Sequence, residues 1–526
     1  MLPADIRKRD AVVDAFLHAW SAYEKDAMGF DEYHPISHRG SDLGYGGGIG
    51  YTVVDALDTM ILMDLKNEYA RARKWVEEEL SFDRGGYFST FETTIRVLGG
   101  LLSAYHLTHD ELYLTRATDL GTRFLPALHT VIPAGHVNLQ NPGIGGGGSA
   151  TIAEFTTLQL EFKYLAEITA SREGEENVKA GSDFWRPVER IMSTVAKNMR
   201  ALWTRDKAAV SMEGLAPISV DGRGEFLRST IRMGSNGDSY YEYLLKQYLQ
   251  TNKTEPVYLE MYTTAMAAVR ANLVKKMPES GAAYIAELQP GSERGRGETW
   301  VPQPKQEHLA CFLAGSLMLG ATRAHRVDPT RAVSVPPRVK EELTEDGRMD
   351  WEAGVAILEG CVATTKTATG LAPEGFNFRT EDQPGPVLGD TEKDSRDWYI
   401  KDAGKSGSPP YDARYMLRPE ISESVFLAWR LTGDPRYRSY AWDIFSAIER
   451  HCRLPGGGYA TVFDVDSLPV SYDDKQETFF LSETLKYLFL TFADESVLSL
   501  DEVVFNTEAH PIPVFTPSIR PEFTKY

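Results

Sequence analysis

Val503-Val504-Phe505-Asn506-Thr507-Glu508-Ala509-His510-Pro511-Ile512-Pro513-Val514-Phe515, almost at the end of the chain, decides how the rest is read. Strand-forming apolar residues flank a tight polar knot, the pattern of a short hairpin with Thr507, Glu508 and His510 at its tip. A terminal segment is ordinarily polar and frayed unless something encloses it. Both arms here are apolar, so helices are expected to wrap around the hairpin. The tip then delivers an oxygen-rich metal site to the floor of a cavity, with Thr507 among the oxygens that a hard cation takes.

The sequence before it supplies the helices. Apolar residues recur at three- and four-residue spacing over Ala11 to Tyr23, Ile95 to Leu107, Leu158 to Ile168, Tyr240 to Leu249, Leu309 to Ala321, Val425 to Leu431 and Leu485 to Phe492. Polar turns separate several of these from a second, more amphipathic stretch, as at Leu112 to Phe124, Val257 to Val274 and Tyr437 to Ile448. Strand signals are few, the end stretch and Tyr459 to Phe463 among them. The repeating unit is a helical hairpin, and a closed ring of such units needs no terminal caps. The class is all-α, and one domain is expected over residues 8–515 with a tail over 516–526. Asp328 to Arg348 and Gln383 to Pro410, rich in Pro, Gly and charge, read as surface insertions.

An acid or a histidine opens each strongly apolar helix: Glu92, Glu154, Asp238 with Glu242, His308, Glu420 with Glu423, and Glu483. Ser89 to Glu92, Thr151 to Glu154 and Ser239 to Glu242 match the capping box, which accounts for one acid per helix. Capping does not explain Asp238 beside Glu242, Glu423 after Glu420, Arg96 one turn beyond Glu92, or His308. A ring of hairpins would gather these groups at one rim. Pro419 suits a first helical position and puts Glu420 where the helix dipole favours the carboxylate, as a general base requires. Glu92, followed by an apolar helix, is expected to be partly desolvated and to keep a proton, as a general acid requires. Two carboxyls biased in opposite directions suit glycosidic bond hydrolysis.

Composition narrows the alternatives. The 526 residues carry 56 basic and 75 acidic side chains, a formal charge of -19, which makes phosphate backbones and anionic membranes poor partners. No apolar run approaches a membrane span, and Met1 to Asp5 lacks the core of a signal peptide. Gly46 to Gly48 and Gly145 to Gly148 are followed by no Lys-Ser/Thr, so they read as loops at a cavity mouth rather than phosphate cradles. The three cysteines, Cys311, Cys361 and Cys452, fit no zinc motif and leave at least one unpaired. Asn252-Lys253-Thr254 is a single glycosylation sequon.

Asp55-Ala56-Leu57-Asp58-Thr59, Phe91 to Arg96, Gly237 to Lys246, Leu417 to Glu420 and Phe505 to Pro511 resemble, in order, the signature blocks of glycoside hydrolase family 47, the class I α-1,2-mannosidases that trim N-glycans in the secretory pathway. The resemblance implies an (αα)7 barrel plugged by a C-terminal β-hairpin, an inverting mechanism and one Ca2+ held by the hydroxyl and carbonyl of Thr507, with waters and two mannose hydroxyls completing its shell. It casts Glu92 as the acid, Glu420 as the base and Asp238 as a third catalytic carboxylate. It places Glu154, Glu242, His308, Glu374, Glu423, Glu483 and Glu508 around the sugar or the calcium-bound waters, Arg96 and Arg418 as sugar or carboxylate partners, and Phe479 as an aromatic floor. Cys311 and Cys361 match the family's disulfide.

High-mannose N-glycans are the implied partners. The implied setting is a monomer in the lumen of the endoplasmic reticulum or Golgi, or secreted, with a targeting segment ahead of this sequence. Asn236 stands where endoplasmic-reticulum-type members carry arginine, which points to broader trimming. The rival reading is a mannosidase-like glycan receptor of protein quality control. The presence of every matching carboxylate favours catalysis.

Overall fold

The computed structural model describes residues 2–526 apart from 142, 147, 173, 206–210, 279, 294–296, 381–395 and 404–406. Its main elements are long helices: α1 (Ile6–Ala27), α2 (Tyr51–Leu62), α3 (Lys66–Glu78), α4 (Gly99–Thr108), α5 (Glu111–Leu128), α6 (Gln159–Ala170) and α7 (Glu175–Arg205). They continue as α8 (Asp238–Gln250), α9 (Pro256–Asn272), α10 (Phe312–Arg323), α11 (Glu345–Ala363), α12 (Glu420–Thr432), α13 (Pro435–His451) and α14 (Leu485–Phe492).

Their neighbours define two rings. Going round, α2 packs on α4, then α6, α8, α10, α12 and α14, and the turn that opens α14 packs back on α2. Each has an outer partner: α3, α5, α7, α9, α11 and α13 follow their inner helices in sequence, and α1 closes the circle against α14. The fold is an (αα)7 barrel. Composition explains the layering. Every residue of α14 and nearly every residue of α12 is buried, so these helices have no solvent side. In α3 only Ala72 and Val76 are buried, a single stripe for an outer position. One continuous apolar core links the rings.

The hairpin β1 (Val503–Phe505) and β2 (Pro511–Pro513) pairs Val503 with Pro513 and Phe505 with Pro511 and stands inside the inner ring against α4, α6 and α8. Its arms are apolar because they meet only helix faces. Ala509 turns the tip with φ 58°, and Asn506 closes it by accepting the Glu508 and His510 amides at 3.0 and 2.8 Å.

Short strands are more numerous than periodicity predicts. They form small rim sheets such as Tyr87–Ser89 with His136–Asn138 and Gly143–Gly145, or Lys305–Glu307 with Gly375–Phe378 and Trp398–Tyr399. Several lead directly into the residue that opens an inner helix. The predicted helix over Val257 to Val274 stops at Asn272, and Val274 pairs with Ile285 instead. The insertion predicted to end at Arg348 ends at Thr344, whose hydroxyl caps α11. Of Gln383 to Pro410, the residues 383–395 and 404–406 lie outside the described ones, and Trp398 is buried in a sheet rather than exposed. The disulfide Cys311–Cys361 joins the start of α10 to α11, and Cys452 is buried and free. Among the described residues no helix is long and apolar enough to cross a membrane.

Candidate active site

The helix starts meet at one cavity of about 260 Å3, of the order of nine waters and so of one sugar ring. Glu92, Glu154, Asp238, Glu242, Glu420, Glu423, Glu483 and Glu508 line it with Arg96, Arg418, Phe479 and Thr507. Local backbone departures aim them. Thr94–Leu98, leading into α4, and Phe480–Thr484, leading into α14, are π-helical turns, the kind of bulge that redirects side chains at functional sites. Asn236 and Leu417 adopt left-handed φ values of 70° and 63°, just ahead of Asp238 and of Arg418 and Glu420.

Arg96 and Arg418 organise the carboxylates. Arg96 donates to Glu92 Oε2 at 2.9 Å and to Thr478 Oγ1 at 2.8 Å, pairs with Glu508, and lies 3.6 Å from Asp55. Arg418 Nε reaches both oxygens of Glu374, at 3.2 and 3.0 Å, and its Nη1 lies 3.8 Å from Glu420. Both guanidiniums stand over the Phe479 ring, 5.8 and 5.3 Å from its centre. Buried Lys246 bonds Glu242 at 2.5 Å and lies 3.6 Å from Glu423.

His308 and Glu374 stand one layer behind the cavity: His308 Nε2 is 3.7 Å from Glu420 Oε2, and Glu374 holds Arg418. Burial drives His308 down to about 3, so it is a neutral imidazole near pH 7.

The environments of Glu92 and Glu420 differ from those read in the sequence. Glu92 is not desolvated: its side chain is 41% exposed and bound to Arg96. Pro419 is the N-cap rather than the first helical residue, so Glu420 itself opens α12. Burial raises Glu420 to about 7, outweighing Arg418 and the helix start. Asp238 is also raised to about 7 by burial, with Glu242, Glu307 and Glu420 adding to it. Ser239 is no cap, since α8 begins at Asp238 after Gly237. At Thr151 and Glu154 the reciprocal capping box does form, and Glu154 still faces the cavity.

Burial, followed by the neighbouring acids, holds Glu483 well above the carboxylate range. Burial does the same for Glu508, against the pull of Arg96. Eight carboxylates, two guanidiniums and Lys246 leave the walls short of positive charge, and the donors are oxygens, the chemistry of a hard divalent cation. Among the described residues no three His, Cys, Asp or Glu groups cluster as metal ligands. Few direct protein ligands, Thr507 at the tip among them, and a shell of carboxylate-held waters fit such a site.

Beneath the tip lies a layer the sequence did not reveal as functional. His510, expected at the tip, turns down to Asp58 and Asp55 at 2.7 and 3.2 Å, and Lys486 bonds Asp58 at 2.8 Å and the Ala509 carbonyl at 2.6 Å. Glu161, Tyr243 and Asn506 complete it. The available signal was a charge inside an otherwise apolar inner helix, as at Glu161, Lys246 and Lys486, and the Asp55–Asp58 pair three residues apart.

The sequence model of Glycosyl hydrolase family 47 matches residues 15–514. The chain is 39% identical over 96% of its length to a mannosyl-oligosaccharide 1,2-alpha-mannosidase of Arabidopsis thaliana, covering 79% of that protein. It is 37% identical over 97% of its length to the endoplasmic reticulum mannosyl-oligosaccharide 1,2-alpha-mannosidase of Homo sapiens and spans 64% of it. The solved alpha-1,2-mannosidase from Trichoderma reesei superposes with a TM-score of 0.79 at 25% identity, over 97% of this chain and 100% of that one.

Proposed function

The chain belongs to glycosyl hydrolase family 47, and on that premise we propose that it is an inverting, calcium-dependent exo-α-1,2-mannosidase that trims terminal mannose from high-mannose N-glycans in the secretory pathway. It is an enzyme of the glycoside hydrolase class, as the plant, human and fungal relatives are by name. The observation that carries the finer reading is the cavity itself: one-sugar-sized, acid-walled and floored by Thr507 on an enclosed hairpin. No observation favours the receptor reading.

The residues divide the work. Phe479, Arg96 and Arg418 together give the sugar an aromatic wall flanked by cationic hydrogen-bond donors. Asp238, surrounded by carboxylates and touched by no cation, is the better holder of the proton that the leaving oxygen needs. Glu420, with the Arg418 guanidinium 3.8 Å away to favour its ionised form, is the better carboxylate for taking a proton from water. This exchanges the role expected of Glu92, which pairs with Arg96 and borders the sugar. Thr507 would hold calcium, with Glu483 and Glu508 beside it to anchor its waters. Bound calcium supplies positive charge to offset the acidic walls and orients sugar hydroxyls.

Mannose release from α-1,2-mannobiose, followed with and without a calcium chelator, tests the reading. Activity abolished by chelation and restored by calcium is expected. A calcium-loaded, folded protein that binds high-mannose glycan and releases nothing would overturn it.

A further inference from the structure

We propose that Glu161 is a positioning residue for the cation end of the site: through the Tyr243 hydroxyl and the Asn506 side chain it fixes Thr507, and so sets how tightly the hairpin tip holds a hard divalent cation. The inference rests on the calcium reading above. Glu161 is the third residue of α6, fully buried, and does not line the cavity, so it acts only through others.

Its Oε1 accepts two hydrogen bonds, from the Tyr243 hydroxyl at 2.7 Å and from Asn506 Nδ2 at 2.8 Å. Tyr243 belongs to α8 and Asn506 to the hairpin, so three elements converge on one carboxylate oxygen.

The polarity of these bonds gives Glu161 its consequence. Burial raises Glu161 to about 7, but a backbone N–H can only donate, so with the Thr507 N–H on the phenolic oxygen the single hydroxyl hydrogen of Tyr243 goes to Glu161 Oε1 whether or not Oε2 carries a proton. The phenolic oxygen is then left as an acceptor, and the Thr507 N–H donates to it at 3.3 Å. The same logic fixes the Asn506 amide. Its Nδ2 faces two acceptors, Glu161 and the Ile95 carbonyl at 2.9 Å, so its Oδ1 must receive the Glu508 and His510 N–H groups. Glu161 thus receives the donors on both sides of Thr507 and, together with the Ile95 carbonyl, holds Tyr243 and Asn506 with their acceptor oxygens toward the tip. A tip whose peptide planes are fixed in advance loses less order on binding a cation.

The second oxygen, Oε2, is buried with no hydrogen-bond partner among the described residues. A bare buried oxygen of this kind is costly to keep, and an apolar residue at this depth would avoid that cost. An acid placed at this depth matches a role beyond packing.

The test is calorimetric titration of calcium chloride into chelator-stripped protein, with thermal unfolding alongside, on the wild type, Tyr243→Phe, Glu161→Leu, Glu161→Gln and the double variant Tyr243→Phe/Glu161→Leu. Tyr243→Phe and Glu161→Leu are each expected to weaken calcium binding tenfold or more. The double variant is expected to be no weaker than the worse single one, because the Tyr243 route is one of the two that Glu161→Leu already removes. Glu161→Gln, which still offers an acceptor oxygen, is expected to stay within threefold of wild type.

Unchanged calcium affinity in Tyr243→Phe, even with a lowered melting temperature, would overturn the proposal. So would full additivity, or a Gln variant as weak as the Leu one, which would make charge rather than hydrogen-bond direction the cause. Should Glu161→Leu fail to fold, Tyr243→Phe, which removes a single hydroxyl, still decides. A wild type that binds no calcium would instead refute the metal reading itself.

Discussion

Asp238 and Glu420 are both raised to about 7, with burial as the leading cause at each, but their neighbours differ: the Ser239 N–H and three carboxylates at Asp238, the Arg418 guanidinium as well as carboxylates at Glu420. An acid with that value loses activity as pH climbs past it, and a base loses activity as pH falls below it. The product is a narrow bell in kcat/KM centred near pH 7. Asp238→Asn and Glu420→Gln should each lower kcat by about 10^2- to 10^4-fold. In the residual activity, Asp238→Asn should lack the alkaline limb and Glu420→Gln the acidic one. If the alkaline limb survives in Asp238→Asn and disappears in Glu92→Gln, Glu92 is the donor after all. That these acids meet at one cavity was legible in the sequence, because an acid beside an acid at a helix start exceeds what capping needs. Their protonation bias was not. Glu92 looked desolvated from its apolar successors, yet those residues face the inner ring while its own side chain meets Arg96 and solvent.

At the scale of elements, the plug works by close approach. Gly99 opens α4 directly against the hairpin, where a Cβ would fall 2.6 Å from Asn506 Nδ2 and 3.1 Å from His510 Cδ2. Asn506 is fully hydrogen-bonded and cannot yield, so Gly99→Ala should destabilise the fold by about 1–3 kcal/mol, more than the ~0.5–1 kcal/mol that alanine contributes to a helix. Urea unfolding measures it. Gly135→Ala, whose Cβ meets nothing within 4 Å, is the control. Equal stability of Gly99→Ala and wild type would show that the hairpin does not press on α4. That the hairpin is enclosed could be read from its two apolar arms. That helices enclose it was equally legible, but the polar layer beneath its tip was not: Asp55, Asp58, Glu161 and Lys486 sit in helices whose polar residues ordinarily mark a solvent side, and inner-ring helices have none.

Across the whole molecule, one buried ion set ties the end of the chain to the inner helices, and it makes global stability depend on pH in a definite direction. Burial alone would lower His510, but Asp58 and the hydrogen bonds to Asp55 and Asp58 raise it from 6.5 to about 9. Burial alone would raise Asp58, but Lys486 and His510 bring it from 3.8 to about 2. A raised histidine stabilises the fold fully below its unfolded value of 6.5 and loses that contribution as pH rises through 9. A lowered aspartate contributes fully above 3.8 and loses it as pH falls through 2. The set is therefore at full strength between about pH 4 and 6.5. Its alkaline loss amounts to roughly 3 kcal/mol for His510. Asp238 and Glu420, raised to about 7, also cost stability as pH rises, so the informative quantity is the difference between two curves. Melting temperature against pH for wild type and His510→Gln should converge between pH 6.5 and 9, with the wild type falling and the variant flatter. Parallel curves over that interval would mean that His510 is not charged in the folded protein and that the plug is held without its ion pairs to Asp55 and Asp58.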